Sequence, residues 1–156
     1  MKQAYEDYSL SLEAGRRTNL HIVVRLNVLN ALARNAVVMG FAAEGLCHDA
    51  FVSPYCQLGP GLWPLSYISS TPSVPSNLQS TDVQRSTPHH PWIDLFPFPR
   101  FRDNMIHALS VRSFDEDELC LDMMELDGSL HQLDKKPSVM VWGESWDMRS
   151  WEASMV

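Results

Sequence analysis

Several things are scarce in this sequence, and each shortage narrows the reading. Its three cysteines, Cys47, Cys56 and Cys120, are odd in number and irregular in spacing. They offer neither the paired C-x-x-C steps of a structural zinc site nor an even-numbered disulfide framework. Free thiols in a reducing compartment are the economical expectation. Positive charge is also thin, with 12 Lys and Arg against 19 Asp and Glu and a net charge of −7. That field repels phosphate. The groupings Arg16-Arg17, Arg100 with Arg102, and Lys135-Lys136 form no basic stripe, so direct contact with nucleic acid is not expected.

Long apolar runs are missing too. The start MKQAYEDYSLSLEAGRR holds no apolar core of a secretory signal. The greasiest stretch, Leu20 to Ala43, is broken by Arg25, Asn27, Asn30, Arg34 and Asn35. A bilayer interior rejects that many polar groups on one helix. No membrane partner is expected, and the location reads as nuclear or cytoplasmic. Catalytic signatures are absent as well: there is no G-x-S-x-G elbow and no G-x-x-x-x-G-K phosphate loop. The sequence therefore assigns no catalytic residue, no cofactor and no metal, and an enzyme is not expected. Asp115-Glu116-Asp117-Glu118 lacks the glycine and alternating ligands of a calcium loop. Carboxylates in a first helical turn match the helix dipole instead. His89 and His90 read as a loop edge or a pair of hydrogen-bond donors.

What is present is patterned apolar surface. At 156 residues and 45% apolar content, the chain is long enough for one domain with a real core. Residues 1–17 read as a polar arm and 18–156 as a single helical domain. With Thr18 as N-cap, Ile22, Leu26, Leu29, Ala33, Ala36, Val37 and Phe41 recur at helical steps. A second stripe of Val24, Val28, Leu32, Met39 and Ala43 widens the first, which predicts a long, central helix buried over most of its circumference. Prolines at 60, 64, 72, 75 and 88 predict an irregular crossing, with 69–88 a flexible loop.

The stretch His89 to Asn104, HHPWIDLFPFPRFRDN, is stiffened by Pro91, Pro97 and Pro99. It predicts a strap that inserts Trp92, Ile93, Leu95, Phe96, Phe98 and Phe101 against the long helix. A helix from about Arg100 to Val111 follows, with Phe101, Met105, Ala108 and Leu109 sharing a face and Asp103 in its first turn. Ser113-Phe114-Asp115-Glu116 fits a capping box. Ser138 to Trp142 predicts a strand. Asp147 or Ser150 then caps a last helical segment holding Trp151 and Met155. The fold class is mainly α, with a strap and one short extended segment.

Candidate sites follow from the same residues. In the strap, Asp94, Arg102, Asp103 and Asn104 are expected to be structural, with Asp94 tethering backbone N–H groups and Arg102 reaching an acidic neighbour. Trp142, Trp146 and Trp151, with Met140, Met148 and Met155, fit a ligand pocket, an adaptable interface or a core cluster. A small-molecule-binding protein or enzyme with a pocket among Trp92, Trp142 and Trp146 stays open as a second reading.

Taken in order, several segments carry a resemblance. They are RLNVLNALARNAVVMG at 25–40, Cys47 with SPY at 53–55, VPSNLQSTDVQ at 74–84, HHPWIDLFPFPRFRDNMI at 89–106, DEDELCLDM at 115–123 and VWGESWDMRSWE at 141–152. Together, from about Leu20 onward, they resemble a fungal domain of unknown function that often follows the basic leucine-zipper (bZIP) region of transcription-factor-like proteins. Ser80, Ser145 and Met148 stand where that family more often has proline. The family pattern continues past Trp-Glu with a further apolar helix, so the resemblance reads the stop at Val156 as a truncation. No basic region or leucine heptad precedes Thr18. The resemblance implies a nuclear regulatory or protein-interaction domain without the part that grips DNA. Its partner would be a transcription regulator or a second copy of the chain, and any small-molecule ligand is left unspecified.

Overall fold

The computed structural model describes residues 23–24, 26–41, 46, 51–56, 74–116 and 139–153. The 1–17 arm, the Thr18 cap, the acidic helix after Glu116 and Met155 lie outside them. Helix is the dominant regular structure, joined by one small sheet. The first helix, α1, is described over 26–39, with 23 and 24 also helical. It buries Ala31, Leu32, Asn35, Ala36 and Met39, which recur at steps of three and four on one face. The expectation of burial nearly all round does not match this pattern. Val23, Leu26 and Val37 face outward, and Val37 is 78% exposed. The polar interruptions explain the difference: Asn30 and Arg34 share the outer face, so only one side can enter a core.

α1 ends at Gly40, which has φ 73°. The Phe41 N–H reaches the Ala36 carbonyl at 2.8 Å and the Gly40 N–H reaches Val37 at 3.1 Å. This is the Schellman pattern, and it needs a left-handed residue at the turn.

The stretch from 74 to 88 is not a bare loop. Ser76–Leu78 forms a 3₁₀ turn, and Asp82–Ser86 forms a short helix, α2. Leu78 and Gln84 are wholly buried. The signal for α2 is Thr81-Asp82-Val83-Gln84, a capping box whose two reciprocal bonds both form. The prolines on either side hid it, although none falls within 76–87.

The strap inserts as expected but is more regular than expected. Pro91–Leu95 winds into a 3₁₀ helix with every residue buried. Trp92, Ile93, Leu95 and Phe96 join Leu32, Ala36, Met39, Leu78 and Ile106 in one core. Phe96 packs edge-on to Trp92 at 6.2 Å and to Phe101 at 5.1 Å, and Phe98 to Trp151 at 5.7 Å.

Helix α3 spans Pro99–Ser110, with proline at its first position, where no N–H bond is lost. Its buried residues are Arg102 and Ile106, and Phe101 is half-exposed. Met105 and Leu109 of the predicted face do pack against the core, but Arg102 and Ile106 beside them are buried more deeply, so an arginine occupies a core position. Asp103 lies beyond the first turn. Ser113 does not cap a following helix: its hydroxyl donates to the Ala108 carbonyl at 2.9 Å and helps close α3.

Strands β1 (Val139–Val141) and β2 (Trp151–Ala153) pair antiparallel, with Val141 opposite Trp151. The predicted last helix is instead a 3₁₀ turn, Met148–Ser150, followed by β2. Asp147 does cap that turn, accepting the Arg149 N–H. Gly143 lets the turn close: a Cβ there would lie 2.7 Å from the Ser150 hydroxyl. On the far edge of β1, the Asn27 carboxamide bonds both the N–H and the C=O of Val141, at 2.8 and 2.9 Å. It stands in for a neighbouring strand.

Two stability outcomes follow. α3 ends in the same Schellman geometry as α1, but with Arg112 at φ 50° where glycine is favoured. Arg112→Gly should therefore stabilise the domain by about 0.5–1 kcal/mol in denaturant titration. Leu32→Ala should cost about 2–5 kcal/mol by opening a cavity. Val37→Ala, on the outer face, should stay within about 0.5 kcal/mol.

Candidate functional site

The strap residues converge on one buried polar cluster. Arg102, 0% exposed, projects from the first turns of α3 into the space between α2 and the strap. Its Nη1 donates to the carbonyls of Asn77 (2.7 Å) and Phe96 (2.5 Å), and its Nη2 to that of Gln79 (2.8 Å). Nε donates to the Gln84 side-chain oxygen at 3.1 Å. Arg102 therefore gathers backbone carbonyls rather than the carboxylate expected. Burial pulls it below the ordinary guanidinium range, and Asp94, Asp103 and Tyr55 oppose that pull.

Asp94 is the opposite pole, also fully buried. Gln84 Nε2 donates to its Oδ1, and the Ser53 hydroxyl donates to its Oδ2 at 2.5 Å. His89 Nε2 lies 2.8 Å from Oδ1. In place of the backbone N–H groups expected, Asp94 holds three side chains. Gln84 relays between the two charges, giving its oxygen to Arg102 and its amide to Asp94. Its oxygen also takes the Thr81 N–H at 2.9 Å, so the capping box of α2 and the buried cluster share a residue.

His89 is held between two acceptors. Its Nδ1 faces the Thr87 carbonyl at 2.7 Å and its Nε2 the Asp94 carboxylate. Both ring nitrogens thus face oxygen acceptors, an arrangement that favours the protonated ring. Burial pushes His89 down, but the hydrogen bond and charge of Asp94, the Thr87 carbonyl and the charge of Glu116 together raise it. Next to it, His90 Nδ1 contacts Glu116 at 2.6 Å, and the Trp92 indole N–H donates to the same oxygen at 3.0 Å. Burial alone would raise Glu116, yet these partners hold it below the usual carboxylate range. Burial and the Asp94 charge push the Tyr55 phenol up to about 12.

A serine, a histidine and an aspartate thus meet, but not in a nucleophile–base order. Asp94 lies between the other two, and the serine hydroxyl donates to the carboxylate rather than to the ring. With both ring nitrogens turned to other partners, His89 is not placed to take the serine proton. Among the described residues no group of three or more His, Cys, Asp or Glu is placed to hold a metal ion. Cys47 and Cys120 lie outside the described residues. No helix among those residues is long and apolar enough to cross a membrane.

The other predicted residues separate. Asp103 accepts the Thr81 hydroxyl at 2.5 Å, tying α3 to α2. Asn104 is exposed on the outer side of α3. Trp146 and Trp151 pack against the core, and the Trp151 indole donates to the Ser145 carbonyl at 2.9 Å. Trp92 is a core ring, 3% exposed, whereas Trp142 is 69% exposed. The three tryptophans of the final segment therefore do not form one cluster. Missed from the sequence were Ser53, Gln84 and Asn35, all wholly buried. Asn35 donates to the carbonyls of Leu95 (2.8 Å) and Ser145 (3.0 Å), joining α1, the strap and the turn after β1. An asparagine amid an apolar helical stripe was the available signal.

A family model described as "Domain of unknown function (DUF3425)" matches residues 62–155. The chain belongs to this family. The match takes in the strap, α3 and the hairpin, and it starts after α1. No curated protein matches the chain, and no solved structure does.

Asp94→Asn should destabilise the domain by about 3–5 kcal/mol, because it removes the charge that Arg102 and His89 were buried against. Stability should also fall as pH rises. A histidine whose pKa is raised on folding contributes fully below its ordinary value of about 6.5 and loses that contribution as pH climbs through the raised value. Denaturant midpoints measured from pH 6 upward should slope down in the native sequence, with a shallower slope in His89→Gln.

Proposed function

We propose that this chain is a regulatory, protein-interaction domain of a fungal bZIP-related transcription regulator. What supports this reading, beside the resemblance of its segments, is how its polar residues are used. The signature residues Asp94 and Arg102 are buried, and their bonds are to the protein itself. They leave no charged group of that cluster directed at a substrate, and they build a rigid support instead. Trp142, by contrast, carries a large aromatic face into solvent on that support. Exposed aromatic rings on rigid elements are typical anchors of protein interfaces. The acidic net charge fits a domain that contacts proteins and leaves DNA to another region.

The test is a reporter experiment. Fused to a heterologous DNA-binding domain, the full chain should shift transcription of a reporter relative to that DNA-binding domain alone, and Trp142→Ala should reduce the shift. Unchanged output from a fusion verified to be folded and nuclear would overturn the regulatory reading.

A further inference from the structure

The outward face of the β1–β2 hairpin has the features of a cation-docking platform. Trp142 directly follows β1, and its indole N–H donates to Glu152 Oε2 on β2 at 2.8 Å. Met140 and Glu152 are register partners, so Met140, Trp142 and Glu152 lie on one side of the sheet, opposite Val141 and Trp151. The hydrogen bond satisfies the only polar atom of the indole and fixes the ring, which makes no ring contact among the described residues. Its π-face is thus held in place and open to solvent.

The charges nearby select the occupant. From Trp142 to Ala153 the chain carries Glu144, Asp147 and Glu152 against Arg149 alone, within a chain of net charge −7. Arg149 binds Asp147 through Nε at 3.1 and 3.2 Å and through Nη2 at 2.8 Å, so it does not cover the indole. Arg34 pairs with Glu144 at 3.4 Å. An apolar partner would bury the Glu152 carboxylate without a counter-charge, which is costly. An anionic partner would be repelled. A guanidinium or ammonium group can satisfy both elements, lying over the ring quadrupole with Glu152 as its counter-ion.

We propose that Trp142, braced by Glu152, docks an arginine- or lysine-bearing segment of a partner protein. This inference rests on the interaction half of the function proposed above and names the chemistry of the partner.

The test is an NMR titration of the full chain, following the indole N–H signal of Trp142, assigned by its loss in Trp142→Phe. The probes are the blocked peptides Gly-Arg-Gly-Lys-Gly and Gly-Glu-Gly-Glu-Gly. The basic peptide should shift the Trp142 signal saturably, with affinity falling as salt rises, and the acidic peptide should leave it in place. Trp142→Ala should weaken binding by roughly 5- to 30-fold, read from backbone amides of β2, with an unchanged melting temperature. Glu152→Gln should weaken it and flatten its salt dependence. No saturable shift with the basic peptide, or equal shifts with both peptides, would overturn the proposal. A silent transcription reporter alongside selective basic-peptide binding would remove the regulatory reading alone, whereas an active reporter without such binding would remove this one.

Discussion

The described fold depends on keeping one guanidinium out of water. Arg102 sits where an apolar residue would be expected, and burying it there is costly unless its donors are met. The surrounding chain is shaped to meet them: the turn at Asn77 and Gln79, the end of the strap at Phe96 and the amide of Gln84 each present an oxygen. Asp94 supplies the balancing charge through Gln84 and itself gathers Ser53 and His89. The loop at Ser53, the turn at Asn77 to Gln79, α2 and the strap are thus held to one another and to α3 by the two buried charges.

Around that pair, aromatic packing does the rest. The prolines at 91, 97 and 99 restrict the strap before it folds, so its rings are ordered at a lower entropic cost than those of an ordinary loop. Trp92 and Phe96 then fill the space beside α1, and Phe98 meets Trp151 of the hairpin. The division of labour bears on function. Polar residues that look chemically equipped are consumed in structure, while an aromatic ring that looks like core material is placed outside.

Legibility from the sequence followed the range of the interactions. The strap and α3 were readable because stiff prolines, closely spaced aromatics and helical spacing are local signals. The inward turn of Arg102 was not readable, since its acceptors are backbone carbonyls up to 25 residues away. The helix α2 was legible in principle from Thr81 and Gln84, but the surrounding prolines outweighed it. The C-terminal segment was misread as helix because Trp151 alone carries too weak a period. Its strand exists through pairing with β1, whose far edge is held by the carboxamide of Asn27, 114 residues from Val141. The outward position of Trp142 likewise emerges only from strand register.

The long reach of Asn27 and Asn35 has a further consequence. The stretch recognised as the family begins at residue 62, yet both asparagines, Leu32, Ala36, Met39 and Ser53 all come from before it. Without them the hairpin would lose its substitute neighbour, the strap the apolar face of α1 that it packs against, and Asp94 a donor. A two-stranded ribbon left alone in water has little stability of its own. The unit that sequence comparison delineates is therefore smaller than the unit that folds.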